Sequence, residues 1–183
     1  MKIGNSISLA NARSDLESKQ GVKIKRETLA RYLRILEDAK IISKCSRFDL
    51  KSRKSLQGEQ KYYLADLSFY FALNTDNRIN YGPVLENVVY TYARARGYSV
   101  SVGRIGKLEC DFILRSPEMG YAYVQVAMTI IADRTTEERE YRPFAQIRDN
   151  YPKYLLTRSD PIQQRDGIIH ANIPEFIQDG RVF

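Results

Sequence analysis

Apolar and polar positions alternate along the chain in two periods. Leu9, Ala12 and Leu16 recur at i, i+3 and i+7, one face of a helix, with Ser6-Ile7-Ser8 as the capping segment and Gly21 as the stop. Leu29, Leu33 and Leu36, with Tyr32 beside them, predict a second helix over residues 26–39. An extended stretch over 41–50, a polar basic run over 51–58 and an extended stretch over 61–66 follow. Residues 69–81 read as a connection, with Asn74, Asp76, Asn77 and Asn80 as turn formers. Gly82-Pro83 opens a helix that runs to Arg96 and is closed by Gly97; its stripe is Leu85, Val88, Val89 and Tyr92, with Glu86 at the edge. Extended segments are then expected over 98–102, 108–115 and 121–131, a charged helix over 135–149, short strands over 153–157 and 167–171, and a helical turn over 174–178.

Helix, glycine-containing turn and helix make a helix-turn-helix, and a strand, basic loop and strand directly after it make a wing. The face of the second helix opposite its apolar stripe carries Lys25, Arg26, Thr28 and Arg31, with Arg34 further round, suited to phosphates and base edges in a major groove. Lys51, Arg53 and Lys54 are expected at the wing tip. The later order of helix, three strands, helix and strand is the core order of the PD-(D/E)XK nuclease fold. The expected class is therefore α+β: a winged helix-turn-helix over residues 1–68, then a small restriction-endonuclease-like α/β domain with a mixed sheet over 69–183.

Charge strengthens the first half of that reading. The net formal charge is +7, but residues 1–63 hold 15 Lys/Arg against 7 Asp/Glu, so the basic excess lies wholly in the first third. Such asymmetry suits a polyanion, here double-stranded DNA. Cys45 and Cys110 lie in apolar strand-like stretches and read as buried free thiols of a reducing, cytoplasmic compartment. The nearly apolar run 122–132 is too short for a bilayer, so no membrane partner is expected. One histidine and two scattered cysteines cannot assemble a usual zinc site, and His170 reads as an ordinary strand residue.

Metal-dependent phosphodiester cleavage needs hard oxygen ligands and a group beside the attacking water. In the nuclease fold these are an acid on the first helix, an Asp on the second strand and a Glu-X-Lys triplet on the third. Glu86 and Asp111 fill the first two places, but the triplet reads Gln125-Val126-Ala127. In the 108–114 strand, alternation puts Leu108, Cys110, Phe112 and Leu114 on one face and Glu109, Asp111 and Ile113 on the other. A short turn over 116–120 then sets Asp111 beside Gln125, with Glu86 reaching in. A glutamine oxygen is a weak Mg²⁺ ligand and alanine supplies no ammonium, although Arg104, Lys107 or Glu109 could stand in. Glu86, Asp111, Gln125 and Ala127 are thus the candidate catalytic positions of a degenerate site. Glu86 and Asp111 are its weak candidate metal ligands, and Mg²⁺ is its cofactor only if the site is competent.

The run Glu59 to Asp66, Gly82-Pro83-Val84-Leu85-Glu86-Asn87, Gly106 to Phe112 and Tyr123 to Ala127 together resemble the C-terminal half of a family of prokaryotic AAA+ ATPases. Glu138 to Phe144 and Asp149 to Tyr154 extend the resemblance over essentially the whole chain. In that family a nucleotide-binding module precedes a winged helix and a nuclease-like domain of unknown function, and some members carry the intact Glu-X-Lys triplet. The resemblance implies an ATPase partner, in cis or in trans. This chain offers only Gly103-Arg104-Ile105-Gly106-Lys107-Leu108, with the wrong spacing and no hydroxyl for a nucleotide loop, so no ATP hydrolysis is expected. The reading that follows is a nucleic-acid-binding effector region with an inactive nuclease-like site. A slow Mg²⁺-dependent deoxyribonuclease and a protein-docking module for an ATPase are the alternatives.

Overall fold

The computed structural model describes residues 9–73, 79–118 and 120–183. Ser6 and Ser8, and the turn formers Asn74, Asp76 and Asn77, lie outside the described residues. Helices α1 (Leu9–Gln20) and α2 (Arg26–Asp38) flank Gly21, whose φ of 66° is the left-handed conformation that glycine tolerates best. Leu29 is buried, and Leu33 and Leu36 pack on Ile42, Tyr62 and Leu64. Tyr32 and Ile35 stay exposed.

Strands β1 (Ile42–Asp49) and β2 (Lys54–Leu64) form an antiparallel hairpin. The turn between them is shorter than the basic run suggested. Asp49 accepts hydrogen bonds from the Lys51 amide at 3.3 Å and the Ser52 hydroxyl at 2.8 Å, Arg53 takes a φ of 53°, and pairing resumes at Asp49 opposite Lys54. Lys51 and Arg53 therefore occupy the tip, while Lys54 begins the second strand. A short helix, α3 (Ser68–Leu73), occupies part of the expected connection, its first amide donating to Asp66 at 2.7 Å.

Helix α4 (Tyr81–Ala95) starts at Asn80, whose side chain accepts from the Gly82 amide, and ends before Gly97 at a φ of 85°. Its buried face holds Val84, Asn87, Val89, Tyr90 and Ala93; Leu85, Val88 and Tyr92 pack at the margin of the core. Asn87 is buried because it replaces a strand neighbour. It accepts from the Leu64 amide at 2.7 Å and donates to the Leu64 carbonyl at 2.9 Å, tying α4 to the end of β2.

The remaining elements are β3 (Ser99–Ile105), β4 (Leu108–Ser116), β5 (Gly120–Ala127), α5 (Arg134–Ala145), β6 (Lys153–Thr157), β7 (Gln164–Arg165), β8 (Ile168–Asn172) and α6 (Ile173–Gln178). Strand β5 stops at Ala127, not at 131, because Asp160 captures the Thr129 hydroxyl at 2.9 Å and the Ile130 amide at 2.7 Å. Helix α5 stops at Ala145, not at 149. Its last turn contains Pro143, and the amides of Gln146 and Ile147 fold back on Pro143 and Phe144. The short β7 was not anticipated.

The described residues form one mixed eight-stranded sheet in the order β2-β1-β3-β4-β5-β6-β8-β7. Strand β1 pairs in parallel with β3 through Arg47, Phe48 and Asp49, so the hairpin expected to be a wing is hydrogen-bonded into the same sheet as the later strands. One face of the sheet packs on α4 and α6 through Tyr63, Tyr90, Phe112, Leu114, Leu156 and Phe176. The other packs on α5 through Cys110, Ile113, Tyr123, Tyr141, Phe144 and Leu155. Both cysteines are buried free thiols, and burial pushes that of Cys45 up to about 12.

Candidate functional site

The backbone ladder between β4 and β5 runs from Ser116 opposite Gly120 to Phe112 opposite Val124 and then opens into a fork. Side chains bridge the gap. The Asp111 amide donates to Gln125 Oε1 at 3.3 Å, and the Val126 amide donates to Asp111 Oδ2 at 2.8 Å. Asp111 and Gln125 are thus neighbours, each 8% exposed, and each completes a hydrogen bond that the strands no longer make.

A bulge creates the orientation. Ser101 faces Ile113 but Gly103 faces Cys110, so β4 carries one extra residue around Asp111 and Phe112. Strict alternation therefore does not hold along β4: Cys110 packs with Ile113 on the α5 face, while Phe112 and Leu114 pack on α4. The extra residue re-aims Asp111, which is a common consequence of a bulge. Gly103 sits opposite it because a Cβ there would meet the Ile113 side chain at 2.9 Å.

The ammonium of Lys61, 4% exposed, enters this fork from β2. Its Nζ lies 2.8 Å from Glu109, 3.1 Å from Glu86 and 3.9 Å from Asp111. Arg47 on β1 pairs with the second oxygen of Glu109, and the Tyr63 hydroxyl donates to Glu86 at 3.4 Å. On the other side, Gln125 Nε2 donates to Glu140 of α5 at 2.9 Å, and Arg139 caps the remaining oxygen of Glu140 at 2.7 Å. Nine side chains from six elements are joined in one network.

Burial dominates its electrostatics. Removal from water raises Asp111 well above the usual carboxylate range; Glu86 adds to the rise and Lys61 opposes it. Glu86 is raised for the same first reason, against the pull of Lys61. For Lys61 burial favours the neutral amine, but Asp111, Glu86 and Glu109 together outweigh it and hold the ammonium above its ordinary value. The Tyr63 phenol is likewise raised, chiefly by burial.

These donors do not fit Mg²⁺ as they stand. Both oxygens of Asp111 are engaged, by Lys61 and by the Val126 amide; Glu86 Oε2 accepts from Lys61 and Tyr63; the Gln125 oxygen accepts from Asp111. Among the described residues no group of three or more His, Cys, Asp or Glu side chains is disposed to ligate a metal. The ammonium of Lys61 already pairs with these carboxylates.

A cavity of about 410 Å³ opens onto the fork, lined by Glu86, Asp111, Gln125, Ala127, Arg139 and Glu140. All four candidate catalytic positions therefore line one cavity. Of the suggested stand-ins, Glu109 joins the network through Lys61, whereas Lys107 is exposed and Arg104 points to the Gly106 carbonyl. Sequence reasoning missed Lys61, Arg47 and Glu140. The one local signal was a lysine directly preceding Tyr62-Tyr63-Leu64, in a strand whose neighbours are buried.

The candidate DNA-contact residues sit apart from the fork. Arg26, Arg31 and Arg34 are exposed on α2, Lys25 is exposed at its N-cap and Thr28 is half-buried; Lys51, Arg53 and Lys54 are exposed around the hairpin turn. Arg31 lies over the Tyr32 ring at 5.9 Å. No helix among the described residues is long and apolar enough to cross a membrane.

Comparison with known proteins adds two matches. Residues 2–80 match the family model described as a domain of unknown function (DUF8612). An uncharacterized protein of Haemophilus influenzae is 32% identical over 155 residues, covering 85% of this chain. The chain spans 37% of that protein's length. No solved structure matches.

Proposed function

We propose that the chain is a nucleic-acid-binding effector region: a winged helix, formed by α1, α2 and the β1–β2 hairpin, fused to a nuclease-like α/β unit whose site has decayed. On this reading it serves an AAA+ ATPase module, in cis or in trans. The observation that carries the reading is the fork, where an acidic helix residue, an acidic strand residue and the Gln125-Val126-Ala127 triplet line one cavity. The exposed cations of α2 and the hairpin turn support DNA as the partner, because phosphate contacts supply most of the affinity in such modules.

Within the fork, Lys61 pairs with Glu86, Glu109 and Asp111, Arg47 shares Glu109, and Gln125 ties Asp111 to Glu140. The residues are engaged with one another. A metal-dependent deoxyribonuclease is the second reading, favoured by the ammonium that Lys61 brings beside Asp111.

One experiment separates these. Binding to duplex DNA is measured by fluorescence anisotropy across a salt series, with cleavage followed in parallel in Mg²⁺. The wild type should bind with steep salt dependence, Arg26→Glu/Arg31→Glu should abolish that binding, and no cleavage should appear. Unchanged binding by the double variant removes the α2 surface from the reading. Mg²⁺-dependent cleavage that Asp111→Ala abolishes establishes the nuclease instead. Cleavage gained only by Gln125→Glu/Ala127→Lys marks the site as decayed.

A further inference from the structure

The first third of the chain carries the basic excess, yet a wide concavity lies elsewhere. Between α5 and the β6–β8–β7 side of the sheet runs a groove of about 1060 Å³. Arg134, Arg139, Arg142, Lys153 and Arg165 line it over a floor that includes Phe144, Ile147 and Ile168. Two acids, Glu138 and Asp166, line it against these five cations, and both pair with Arg165, Asp166 at 3.5 Å. Arg165 pairs with Glu137 at 3.1 Å and Glu138 at 2.9 Å while covering the Tyr141 ring at 4.5 Å. Arg134 and Arg142 are exposed and make no ion pair among the described residues. Arg139, with its side chain 72% exposed, commits one arm to Glu140.

Arg134 and Arg142 stand two helical turns apart, about 12 Å along the axis. That distance spans several phosphates of one strand at about 3.4 Å of axial rise each. Guanidinium forks match phosphate oxygens in pairs, and a groove with apolar floor and cationic walls suits a sugar-phosphate backbone. A second observation gives the groove a destination: Arg139 lines both the groove and the fork cavity, so the two concavities meet at one residue.

We infer that the α5 groove is a second nucleic-acid site, binding the phosphodiester backbone of a strand and leading it to the fork. This rests on the nucleic-acid reading above and adds a contact surface that α2 does not provide. The occupant is a phosphodiester strand; an acidic polypeptide is the competing polyanion.

The test measures anisotropy of labelled single-stranded and duplex oligonucleotides, with poly-glutamate as competitor, on the full chain. Arg134→Glu/Arg142→Glu is compared with Arg96→Glu/Arg181→Glu, which removes the same charge from the α4–α6 face. Thermal midpoints verify folding, and Arg134→Gln/Arg142→Gln replaces the reversal if it fails to fold. The groove variant should lose at least about tenfold in affinity, with the slope of log affinity against log salt shallower by about 2. The control should lose far less. The arm with the larger loss, single-stranded or duplex, identifies the form the groove accepts. Equal losses in groove variant and control overturn the groove site, as does poly-glutamate competing as well as the oligonucleotide. Loss confined to Arg26→Glu/Arg31→Glu also overturns the groove while leaving the nucleic-acid reading intact, and failure of the wild type to bind any oligonucleotide ends both.

Discussion

Two buried polar clusters sit in the same sheet and are built on opposite plans. In the fork, charged side chains satisfy one another: Lys61 against Glu86, Glu109 and Asp111, Arg139 against Glu140. At the ends of β6 and β8, uncharged groups and backbone amides do the work. Thr157 bonds His170 Nε2 at 2.9 Å and donates to Asn172 at 3.0 Å; Asn172 accepts from the Asp160 amide, and the Gln163 amide donates to His170 Nδ1 at 2.9 Å. The one carboxylate there, Asp160, closes the loop after β5 by accepting from Thr129 and Ile130. The second cluster pins loops. The first concentrates charge beside an open cavity, which architecture alone does not require.

The largest expected effect tests that contrast directly. Lys61→Met takes the shared cation from Glu86 and Asp111, leaving Glu109 only Arg47, and should cost about 3–5 kcal/mol in urea unfolding. The penalty should shrink at acidic pH, where Glu86 and Asp111 take up protons. A loss below about 1 kcal/mol would show that the carboxyls are already protonated and that charge does not organise the fork.

Asp160→Ala is the matching change in the neutral cluster. It leaves the buried Ile130 amide without an acceptor and should cost about 1–3 kcal/mol by the same measurement. A loss equal to that of Lys61→Met would erase the distinction between the clusters.

The smallest effect is in pH. Burial lowers His170 below its ordinary value, against the opposing pull of Asp160. Between the two values the unfolded chain binds more protons, so stability should fall as pH drops from about 6.5 through the folded value. The fork has the opposite sign: folded Asp111 and Glu86 titrate above the unfolded range, so their contribution weakens as pH rises out of the carboxylate region. Denaturation curves across pH should lose the first slope in His170→Gln and part of the second in Asp111→Asn. A wild-type slope unchanged by His170→Gln would remove the imidazole from the account.

Much of this architecture was legible from local pattern. Helix α4, strand β6 and the meeting of Asp111 with Gln125 follow from period, glycine placement and a short turn. The fork's remaining members were not. Lys61 reaches the cluster only because β1 pairs in parallel with β3, a contact between segments more than fifty residues apart that no local period encodes. Glu140 lies in a helix so rich in charge that every acid on it reads as solvated, yet it is 6% exposed. The β4 bulge also lay beyond alternation, since one inserted residue changes which neighbours share a face.

The hairpin has a further consequence for how this chain tolerates change. Lys61 faces Cys45 across the β1–β2 ladder, and the register shifts between Cys45 and Arg47. Side chains on a strand alternate sides, so losing or gaining a single residue between Lys61 and Leu64, where the pairing is regular, would present Gln60 or Tyr62 to the carboxylates instead. Residues added at the turn tip would leave that phase intact. Length variation beyond Asp49 and Lys54 therefore leaves the Cys45–Lys61 pairing alone, whereas variation between Lys61 and Leu64 does not, so that the base of the hairpin acts as a ruler for the charge at the sheet's centre.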